Sequence, residues 1–397
     1  MTVQRIVVVG ASLAGLRAIE TLRADGHAGE LVAIGAEPEL PYDRPPLSKQ
    51  FLKGEWDEAK IALRKQGTED LQVEWRLGKA AASLDLGESA LLLEGGERVA
   101  YDGLLIATGC VARHLPFGKG LGGVHVLRTL ADARALRANL AGSPRVAVVG
   151  AGFIGMEVAA SCRERGLDVT VIEPLATPLV RGLGETLGSL VAARFREAGV
   201  ALRLGVGVQG FVGDRQVEGV ELSDGKRVPA DVVLVAIGVR PATDWLEGSG
   251  LRLDNGVVCD GAGVAAPNVM AAGDVASWAG PVGEAPRRHE HWTHAVEQGV
   301  HAAKRLLHGE VVEPLDVVPY VWSDQFDMRI AIAGEPASND QMHVCHGSLE
   351  EGRFLALFGR EGRLSGAVAF RRPRPLNAAR RLIGERASFA DAIAANS

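Results

Sequence analysis

Hydrophobic positions at the start of the chain follow a strand, turn, helix, strand order. The apolar run RIVVVG is typical of a buried strand, and the spacing in LAGLRAIETLRADG predicts a helix that stops at Gly26. GELVAIG predicts a second strand. The same order returns about 140 positions later in RVAVVG, FIGMEVAASCRERG and LDVTVIEP. Two such βαβ units predict two nucleotide sites in one chain.

The rest of the hydrophobic pattern predicts the strands that complete these two units and the elements that follow them. YDGLLIATG, ending at Gly109, and ADVVLVAIG, ending at Gly238, are each expected to close a nucleotide domain as a buried parallel strand. After Pro241 come strand and loop segments and the helix HEHWTHAVEQGVHAAKRLLHG. From Pro319 we expect meander strands and one last helix, NAARRLIGERASFADAIAA.

These elements predict the α/β class, with two Rossmann-like nucleotide-binding domains and a C-terminal α+β domain. The first domain is expected to comprise 1–112 and 241–318, the second 113–240, and the C-terminal domain 319–397.

Composition narrows the class of protein. The 397 residues are 47% hydrophobic, which favours packed cores over disorder, and the net charge of −6 argues against global nucleic-acid binding. No apolar run reaches the roughly 18 residues of a membrane span, and the first residues lack a signal-peptide pattern. We therefore expect a cytoplasmic protein with neither a membrane nor a nucleic-acid partner.

The cysteines exclude two kinds of chemistry. Cys110, Cys162, Cys259 and Cys345 form no CxxC or CxxxxC pair. An adjacent-cysteine redox relay and a four-cysteine zinc ribbon are therefore excluded, and unpaired thiols fit a reducing cytoplasm.

The first glycine turn is GASLAG. A full dinucleotide fingerprint has three glycines, for the tight turn, for approach of the pyrophosphate, and for helix–strand packing. Gly10 and Gly15 take the first and third positions, and Ser12 replaces the second glycine. On its own this segment also fits an ordinary strand–helix turn.

The second turn, GAGFIG, is an intact match at Gly150, Gly152 and Gly155. Glu173 ends the next strand, close to the ~20 positions expected after the fingerprint. A carboxylate there accepts hydrogen bonds from both ribose hydroxyls and repels a 2′-phosphate, which favours NADH over NADPH. The nearest following arginine is Arg181.

Other motifs have both a functional and a structural interpretation. PYDRPPLSK presents Arg44 and Lys49 from a proline-pinned segment, where positive charge favours a reduced flavin, or it is a loop with solvated charges. In AAGDVA, Asp274 follows a strand, where it either bonds a sugar-alcohol chain or caps a turn. Trp322 is either a core residue or the cover of a flavin ring.

The histidines of RHEHWTH have side chains that can ligate a metal. His289, His291 and His294 lie with Glu290, but no HExxH or CxxC companion exists. We expect no metal, and instead a helix N-terminus whose dipole faces an electron-rich ring.

Together these segments resemble the FAD-dependent and NADH-dependent ferredoxin reductases of bacterial oxygenase systems, within the pyridine nucleotide-disulfide oxidoreductase superfamily. The resemblance is carried by GASLAG, PYDRPPLSK, IATG, VLRTLAD, GAGFIGMEVA, AIG, AAGD, HEHWTHAVEQG, VWSDQF and the C-terminal GRLSGAVAFRRPRPLNAARRLI. It covers essentially the whole chain. It implies that the two Rossmann-like domains are glutathione-reductase-like, with FAD in the first domain and NADH in the second.

The resemblance also implies roles for individual residues. FAD contacts are implied for Gly10, Ser12, Leu13, Ala14, Gly15, Glu37, Arg44, Lys49, Ala107, Thr108, Gly109, Arg128, Gly273, Asp274, Glu290, His291, Trp292 and Trp322. NADH contacts are implied for Gly150, Gly152, Phe153, Ile154, Gly155, Glu157, Glu173, Arg181, Ile237 and Gly238. Lys49 and Glu157 are the implied catalytic pair beside the nicotinamide, with Lys49 near flavin N5.

The implied activity is NADH-dependent reduction, through FAD, of a small 2Fe–2S ferredoxin that supplies a monooxygenase or dioxygenase. From Arg353 to Arg386 nine arginines oppose two glutamates, a local charge of +7. An acidic ferredoxin is therefore expected to dock near Arg371, Arg372 and Arg374, unless this is a solvated charged face.

Three other functions remain open at this point. Rubredoxin or monodehydroascorbate are alternative electron acceptors for the same architecture. A relative of apoptosis-inducing factor would bind nucleic acid, which the net acidity argues against. A disulfide or peroxide reductase would need a cysteine that PYDRPPLSK lacks.

Overall fold

The computed structural model describes residues 4–64, 71–280, 285–309 and 312–396. The chain divides into two compact units. Unit 1 comprises Met1–Asp43, Ala59–Val111 and Arg240–Val317, and unit 2 comprises Arg44–Glu58, Ala112–Val239 and Val318–Ser397. The three-domain division remains a prediction; unit 2 contains most of the second and third predicted domains together with 44–58.

The elements follow in chain order. Up to residue 112 they are β1 (Arg5–Val9), α1 (Leu13–Ala24), β2 (Glu30–Gly35), a 3₁₀ helix (Pro45–Ser48), α2 (Gln50–Lys53), α3 (Glu58–Ile61), β3 (Val73–Leu77), β4 (Ala81–Asp85), β5 (Ala90–Leu93), β6 (Arg98–Ala100), β7 (Gly103–Ile106) and β8 (Cys110–Ala112). Then come β9 (Val124–His125), α4 (Leu130–Asn139), β10 (Arg145–Val149), α5 (Phe153–Glu164), β11 (Asp168–Glu173), α6 (Val180–Glu197), β12 (Ala201–Leu204), β13 (Val208–Val212), β14 (Gly219–Leu222), β15 (Arg227–Pro229), β16 (Val232–Val235) and β17 (Val239–Pro241).

The last third adds a 3₁₀ helix (Asp244–Leu246), β18 (Val257–Cys259), β19 (Val264–Ala266), β20 (Val269–Ala271), β21 (Ala276–Trp278) and α7 (Trp292–His308). It ends with β22 (Tyr320–Gln325), β23 (Met328–Gly334), β24 (Gln341–Ser348), β25 (Arg353–Arg360), β26 (Arg363–Phe370), α8 (Pro373–Gly384) and α9 (Phe389–Ala395).

Unit 1 is built on a six-stranded sheet in the order β19-β20-β7-β1-β2-β3. β20, β7, β1, β2 and β3 run parallel, and β19 is antiparallel to β20. The central strands β1 and β7 are apolar along nearly their whole length because helices cover parallel sheets on both faces. A second, three-stranded sheet in this unit has the order β4-β5-β6.

The middle of unit 2 repeats this design with a five-stranded sheet, β12-β11-β10-β16-β9, in which all pairs are parallel. α5 is buried along most of its length, since its small residues Ala159 and Ala160 let it lie close to the sheet. A three-stranded antiparallel sheet, β13-β14-β15, accompanies it. Two parallel nucleotide-type sheets thus confirm the predicted fold class.

The C-terminal part of unit 2 is a five-stranded antiparallel sheet in the order β22-β23-β26-β25-β24. The prediction of one last helix is wrong, because the structure has two, α8 and α9. Arg386 lies between them with a positive φ of 55°, which breaks the first helix. The Ser388 hydroxyl then accepts the Asp391 N–H at 3.1 Å and starts the second.

In the part of the chain that the structure describes, no helix combines the length and apolar character that crossing a membrane requires.

Candidate functional site

The first glycine turn of unit 1 joins β1 to α1. At Gly10, where φ is +123°, a Cβ atom would lie 2.0 Å from the carbonyl oxygen of Ala107. At Gly15 a Cβ would lie 2.1 Å from the carbonyl oxygen of Gly10. Both positions therefore require glycine, and the turn brings the N-terminus of α1 up against the end of the sheet.

Ser12 occupies the second fingerprint position and is the N-cap residue of α1. Its backbone is extended, and its side chain makes no capping hydrogen bond within the described residues. The first-turn N–H groups of a helix have no partner inside the helix, so an N-terminus of this kind accommodates a phosphate. The turn fits a pyrophosphate in spite of the missing second glycine.

The second glycine turn, in unit 2, has the same geometry. At Gly150, with φ of +102°, a Cβ would lie 2.4 Å from the Ala236 carbonyl oxygen, and at Gly155 one would lie 2.1 Å from the Gly150 carbonyl oxygen. At Gly152 a Cβ would meet no described atom within 4 Å. The space beside Gly152 is the space that a closely approaching pyrophosphate needs.

Glu173 lies at the mouth of the second turn. One carboxylate oxygen accepts the Ala151 N–H at 2.7 Å, and the other accepts the Leu175 N–H at 3.0 Å. A carboxylate oxygen accepts more than one hydrogen bond, so both remain able to receive ribose hydroxyls. Ile154 and Leu175 are 46% and 37% exposed beside this turn, which gives the mouth apolar walls.

The other residues of unit 2 that were predicted to contact NADH include Gly238, Phe153, Ile237 and Arg181. Gly238 follows β16 with φ of +97°, and its carbonyl oxygen accepts the Arg113 N–H at 3.0 Å. Phe153 begins α5 and is half-buried, as is Ile237. Arg181 is exposed on α6.

In unit 1, two predicted cofactor residues are tied to the proline-rich segment. Glu37, after the end of β2, accepts a hydrogen bond from the Tyr42 hydroxyl. Trp292 begins α7, and its indole N–H donates to Asp43 at 2.7 Å. His291 is the N-cap residue of α7 rather than part of the helix. The helix therefore begins at Trp292, three residues later than the predicted segment, which starts at His289.

The backbone around Asp274 is held by several hydrogen bonds. Gly273 donates its N–H to the buried Gln298 side chain at 2.8 Å. The carbonyl oxygen of Asp274 accepts from the Cys110 thiol at 3.2 Å and from Arg288 at 3.0 Å. These contacts fix the place where β20 ends and the polar turn begins.

Arg288 was not among the predicted residues. Its side chain is 7% exposed, and its guanidinium also contacts the Cys110 sulfur at 3.2 Å and the Glu290 carboxylate at 2.8 Å. It thereby links Asp274 and Glu290, two predicted FAD residues. In the sequence it is only one arginine of a charged run, and nothing there indicates burial.

Lys49 and Glu157 form an ion pair in unit 2. The Lys49 ammonium lies 2.8 Å from a Glu157 carboxylate oxygen, and the two side chains are 11% and 5% exposed. Lys49 joins the 3₁₀ helix to α2, and Glu157 lies on α5. Because the pair is nearly dry, each charge depends on the other for compensation.

Two hydroxyls that were not predicted as site residues also bind the Glu157 carboxylate. Ser48 donates to one Glu157 carboxylate oxygen at 2.5 Å, and Ser323 of β22 donates to the other at 2.7 Å. Ser48 belongs to the motif PYDRPPLSK, so this motif could have indicated that Ser48 lies near the site. Ser323 lies 166 positions from Glu157, and no local pattern indicates their contact.

The other predicted FAD residues in unit 2 are Arg44, Arg128 and Trp322. Arg44 donates to the carbonyl oxygen of Arg128 at 2.5 Å, so these two lie side by side. Trp322 is half-buried, with its ring centroid 6.1 Å from that of Tyr320.

The histidine cluster does not assemble a metal site. The rings of His289 and His294 lie 4.7 Å apart between centroids, and those of His289 and His291 lie 5.6 Å apart. Within the described ranges no group of three or more His, Cys, Asp or Glu side chains has an arrangement that could hold a metal ion.

All four cysteines lie in described segments, and each is buried and forms no disulfide. Burial raises the pKa of the Cys162 and Cys259 thiols to about 12 and also raises that of Cys345. These three thiols are therefore neutral at physiological pH, which makes them poor nucleophiles.

Comparisons with known proteins cover nearly the whole chain. The family model described as pyridine nucleotide-disulphide oxidoreductase matches residues 4–299, and the model described as reductase C-terminal matches 320–397. Rhodocoxin reductase of Rhodococcus erythropolis is 36% identical over 383 residues, which is 95% of this chain and 89% of that relative.

Two further matches are similar in extent. The biphenyl dioxygenase system ferredoxin--NAD(+) reductase component of Paraburkholderia xenovorans is 36% identical over 390 residues, covering 97% of this chain and 94% of the relative. Among solved structures, the covalent putidaredoxin reductase–putidaredoxin complex matches with a TM-score of 0.91 at 30% identity, covering 97% of this chain and 94% of that one.

Proposed function

Because the chain belongs to the pyridine nucleotide-disulphide oxidoreductase family, we propose that it is an NADH-dependent reductase that passes electrons through FAD to a small 2Fe–2S ferredoxin. The observation that carries the proposal is the presence of two glycine turns of matching geometry in a chain without a disulfide. Relatives named as ferredoxin reductase components of dioxygenase systems support the acceptor.

FAD is the cofactor of unit 1. When bound, FAD accepts a hydride and gives up its two electrons one at a time, which suits a one-electron iron–sulfur acceptor. The chain supplies the N-terminus of α1 for the pyrophosphate, with Ser12 at its cap. Asp274, whose backbone Arg288 and Cys110 hold in place, is the proposed partner of the ribityl chain.

NADH is the substrate of unit 2. Gly152 leaves room for its pyrophosphate, and Glu173 is the proposed acceptor for the ribose hydroxyls. A 2′-phosphate placed there would be repelled by the carboxylate, so NADH is favoured over NADPH. Lys49 and Glu157 are proposed to lie beside the nicotinamide. The FAD roles of Arg44, Arg128 and Trp322, which belong to unit 2, remain predictions.

Electrons leave without a cysteine relay. Disulfide reductases pass them to a pair of nearby cysteines, whereas the four cysteines here are buried and form no disulfide. A disulfide or peroxide reductase that works through paired cysteines of its own chain is therefore excluded, and direct transfer to an external acceptor is the remaining route.

The ferredoxin is proposed to dock at the start of α8. Arg372 is the N-cap residue of this helix, Arg371 precedes it and Arg374 is exposed on its first turn. Arginines at a helix N-terminus face the positive end of the dipole, an arrangement that costs stability and that an acidic partner relieves. Arg371 is also bonded to Asp327, which Arg194 contacts at 3.1 Å.

Acceptor competition tests the proposed activity. The purified flavoprotein is supplied with NADH and, in separate assays, with 2Fe–2S ferredoxins, rubredoxin and monodehydroascorbate. We expect a ferredoxin to give the highest kcat/KM. A higher value for rubredoxin or monodehydroascorbate would overturn the ferredoxin assignment while leaving the NADH and FAD assignments in place.

A paired charge deletion tests the docking site. Arg371→Ala with Arg372→Ala should raise the KM for ferredoxin about tenfold and flatten its salt dependence, because complementary charge steers association. Reduction of ferricyanide, which needs no docking, should stay unchanged.

The matched control is Lys226→Ala with Arg227→Ala, which removes the same charge from the hairpin between β14 and β15. Equal effects of the two double variants on ferredoxin reduction would show that net charge, rather than the start of α8, decides association.

A further inference from the structure

The Glu157 carboxylate is held by more than its lysine partner. We propose that Ser323 is a positioning residue that fixes the Glu157 side chain for hydride transfer from NADH. The proposal rests on the proposed function, since it concerns the ion pair placed beside the nicotinamide. Its basis is a chain of hydrogen bonds that runs from β22 into α5 within unit 2.

Each oxygen of the Glu157 carboxylate has its own donors. One oxygen is 2.8 Å from the Lys49 ammonium and 2.5 Å from the Ser48 hydroxyl. The other accepts from Ser323 at 2.7 Å. Since Lys49 and Ser48 bind the same oxygen, they leave the carboxylate free to turn about that atom, and Ser323 supplies the second point that fixes its plane.

The direction of the Ser323 hydroxyl is also determined. Glu157, paired with an ammonium group, is a carboxylate and only accepts hydrogen bonds. The single hydroxyl hydrogen of Ser323 must therefore point to Glu157. The Ser323 oxygen in turn accepts from the Gln325 amide at 3.0 Å, so the amide prevents the hydroxyl from rotating away.

The strand that carries these groups makes the arrangement rigid. Ser323 and Gln325 are both fully buried, at 0% exposure, and lie on one face of β22 because alternate residues of a strand share a face. β22 is paired with β23 along its length, from Tyr320 opposite Ala333 to Gln325 opposite Met328. The C-terminal part of unit 2 thus contributes a donor to an ion pair otherwise built from 44–58 and α5.

Ser323→Ala tests this role. Loss of one hydrogen bond to a charged, buried group should slow flavin reduction by NADH, measured anaerobically by stopped flow, by about tenfold. The dissociation constant for NAD⁺, measured by calorimetry, should stay within about twofold, because Ser323 acts through Glu157 and not on the nucleotide. Ser323→Thr, which keeps the hydroxyl, should restore most of the rate.

The Glu157→Gln background shows whether Ser323 works through Glu157. If it does, adding Ser323→Ala to Glu157→Gln should change the rate little, since the two changes remove one coupled interaction. If Ser323→Ala fails to retain FAD, Gln325→Met is the substitute; it removes only the donor that orients the hydroxyl and should slow flavin reduction about threefold.

The matched control is Ser365→Ala. Ser365 lies on β26 of the same sheet and donates to the Asp340 carboxylate at 2.7 Å, the same distance as in the Ser323–Glu157 bond. This control should reduce flavin at the wild-type rate. Equal rates for the Ser323 and Ser365 variants, full additivity with Glu157→Gln, or a parallel loss of NAD⁺ binding would each overturn the proposal.

Failure of the proposed function and failure of the Ser323 proposal would give different results. A wild-type protein that is reduced by NADH but transfers nothing to ferredoxin would contradict the acceptor and leave the Ser323 measurements valid. A wild-type flavin that NADH does not reduce would overturn both.

Discussion

The two glycine turns have almost the same backbone geometry and different surroundings. In both, the first and third glycines are required by close approaches of 2.0 to 2.4 Å to backbone oxygens. In unit 1 the second position is Ser12, and the Asp274 region of the same unit is held by Arg288, Cys110 and Gln298. In unit 2 the second position is Gly152, with open space beside it.

This difference corresponds to two roles of a dinucleotide: a cofactor that stays bound and a substrate that exchanges in each turnover. A cofactor that stays bound benefits from a surrounding that is already hydrogen-bonded and buried, because little has to be ordered on binding. A substrate that enters and leaves in each turnover needs an open mouth, and the exposed Ile154 and Leu175 provide one in unit 2. The contrast agrees with the proposed assignment of one turn to resident FAD and of the other to exchanging NADH, which itself comes from the family resemblance.

The largest expected effect separates the two turns by equivalent substitutions. Gly10→Ala places a Cβ 2.0 Å from a carbonyl oxygen at φ of +123° and should lower the FAD content of the purified protein at least about tenfold. Gly150→Ala should leave FAD content unchanged and raise the KM for NADH by a similar factor. Flavin absorbance and steady-state kinetics measure both.

Loss of FAD in the Gly150 variant, or loss of NADH affinity alone in the Gly10 variant, would reverse the assignment of the two units.

Glu173→Ala is expected to act only on the nucleotide of unit 2. It removes the acceptor for the ribose hydroxyls and frees the Ala151 and Leu175 N–H groups, so kcat/KM for NADH should fall about tenfold or more. The kcat/KM for NADPH should fall less, because the substitution also removes the repulsion of the NADPH 2′-phosphate. The ratio of kcat/KM for the two nucleotides is the measurement.

Glu197→Ala serves as the control for Glu173→Ala, since Glu197 is an exposed acid at the end of α6 in the same unit. If the ratio of kcat/KM for NADH to kcat/KM for NADPH were unchanged in the Glu173 variant, this carboxylate would not bind the ribose.

Exchanging the second positions sharpens the comparison with smaller effects. Ser12→Gly keeps the turn and should change FAD affinity by no more than about threefold, because the helix N-terminus supplies most of the phosphate contacts. Gly152→Ser fills the open space and should raise the KM for NADH about threefold or more. A large loss of FAD with Ser12→Gly would instead show that the hydroxyl binds the phosphate strongly.

The smallest expected effect is that of thiol modification. With pKa values raised to about 12, Cys162 and Cys259 remain protonated throughout the range from pH 6 to about pH 10, so N-ethylmaleimide should leave ferredoxin reduction unchanged. Mass spectrometry of the treated protein checks which thiols reacted. Inactivation that follows modification of one cysteine would contradict direct electron transfer.

The sequence was sufficient for the parts of the molecule that local spacing encodes. Hydrophobic periodicity and the glycine positions predicted both βαβ units, and Glu173 followed from its distance to the second turn. The proximity of Lys49 and Glu157, in contrast, came from the resemblance to a family, and the structure places them 2.8 Å apart. The predicted fold class and family are confirmed, whereas the cofactor roles of single residues stay predictions.

Two of the parts that escaped prediction depend on contacts between distant segments. Arg288 is buried by groups from elsewhere in unit 1, and a charged run gives no sign of this. Ser323 reaches Glu157 only because β22 and α5 lie together in unit 2. The break between α8 and α9 escaped prediction for a local reason. Arg386 adopts a positive φ just after α8, a position that glycine usually takes, so no residue in the segment marks the end of the helix.

Anaerobic titration tests the central claim most directly. The purified yellow protein is reduced with NADH in the absence of oxygen and then mixed with increasing amounts of oxidised 2Fe–2S ferredoxin. The account predicts that one equivalent of NADH bleaches the flavin and that two equivalents of ferredoxin restore it, since each ferredoxin takes one electron. A colourless protein that cannot be reconstituted with FAD, or a flavin that stays reduced in the presence of every ferredoxin tested, would contradict it.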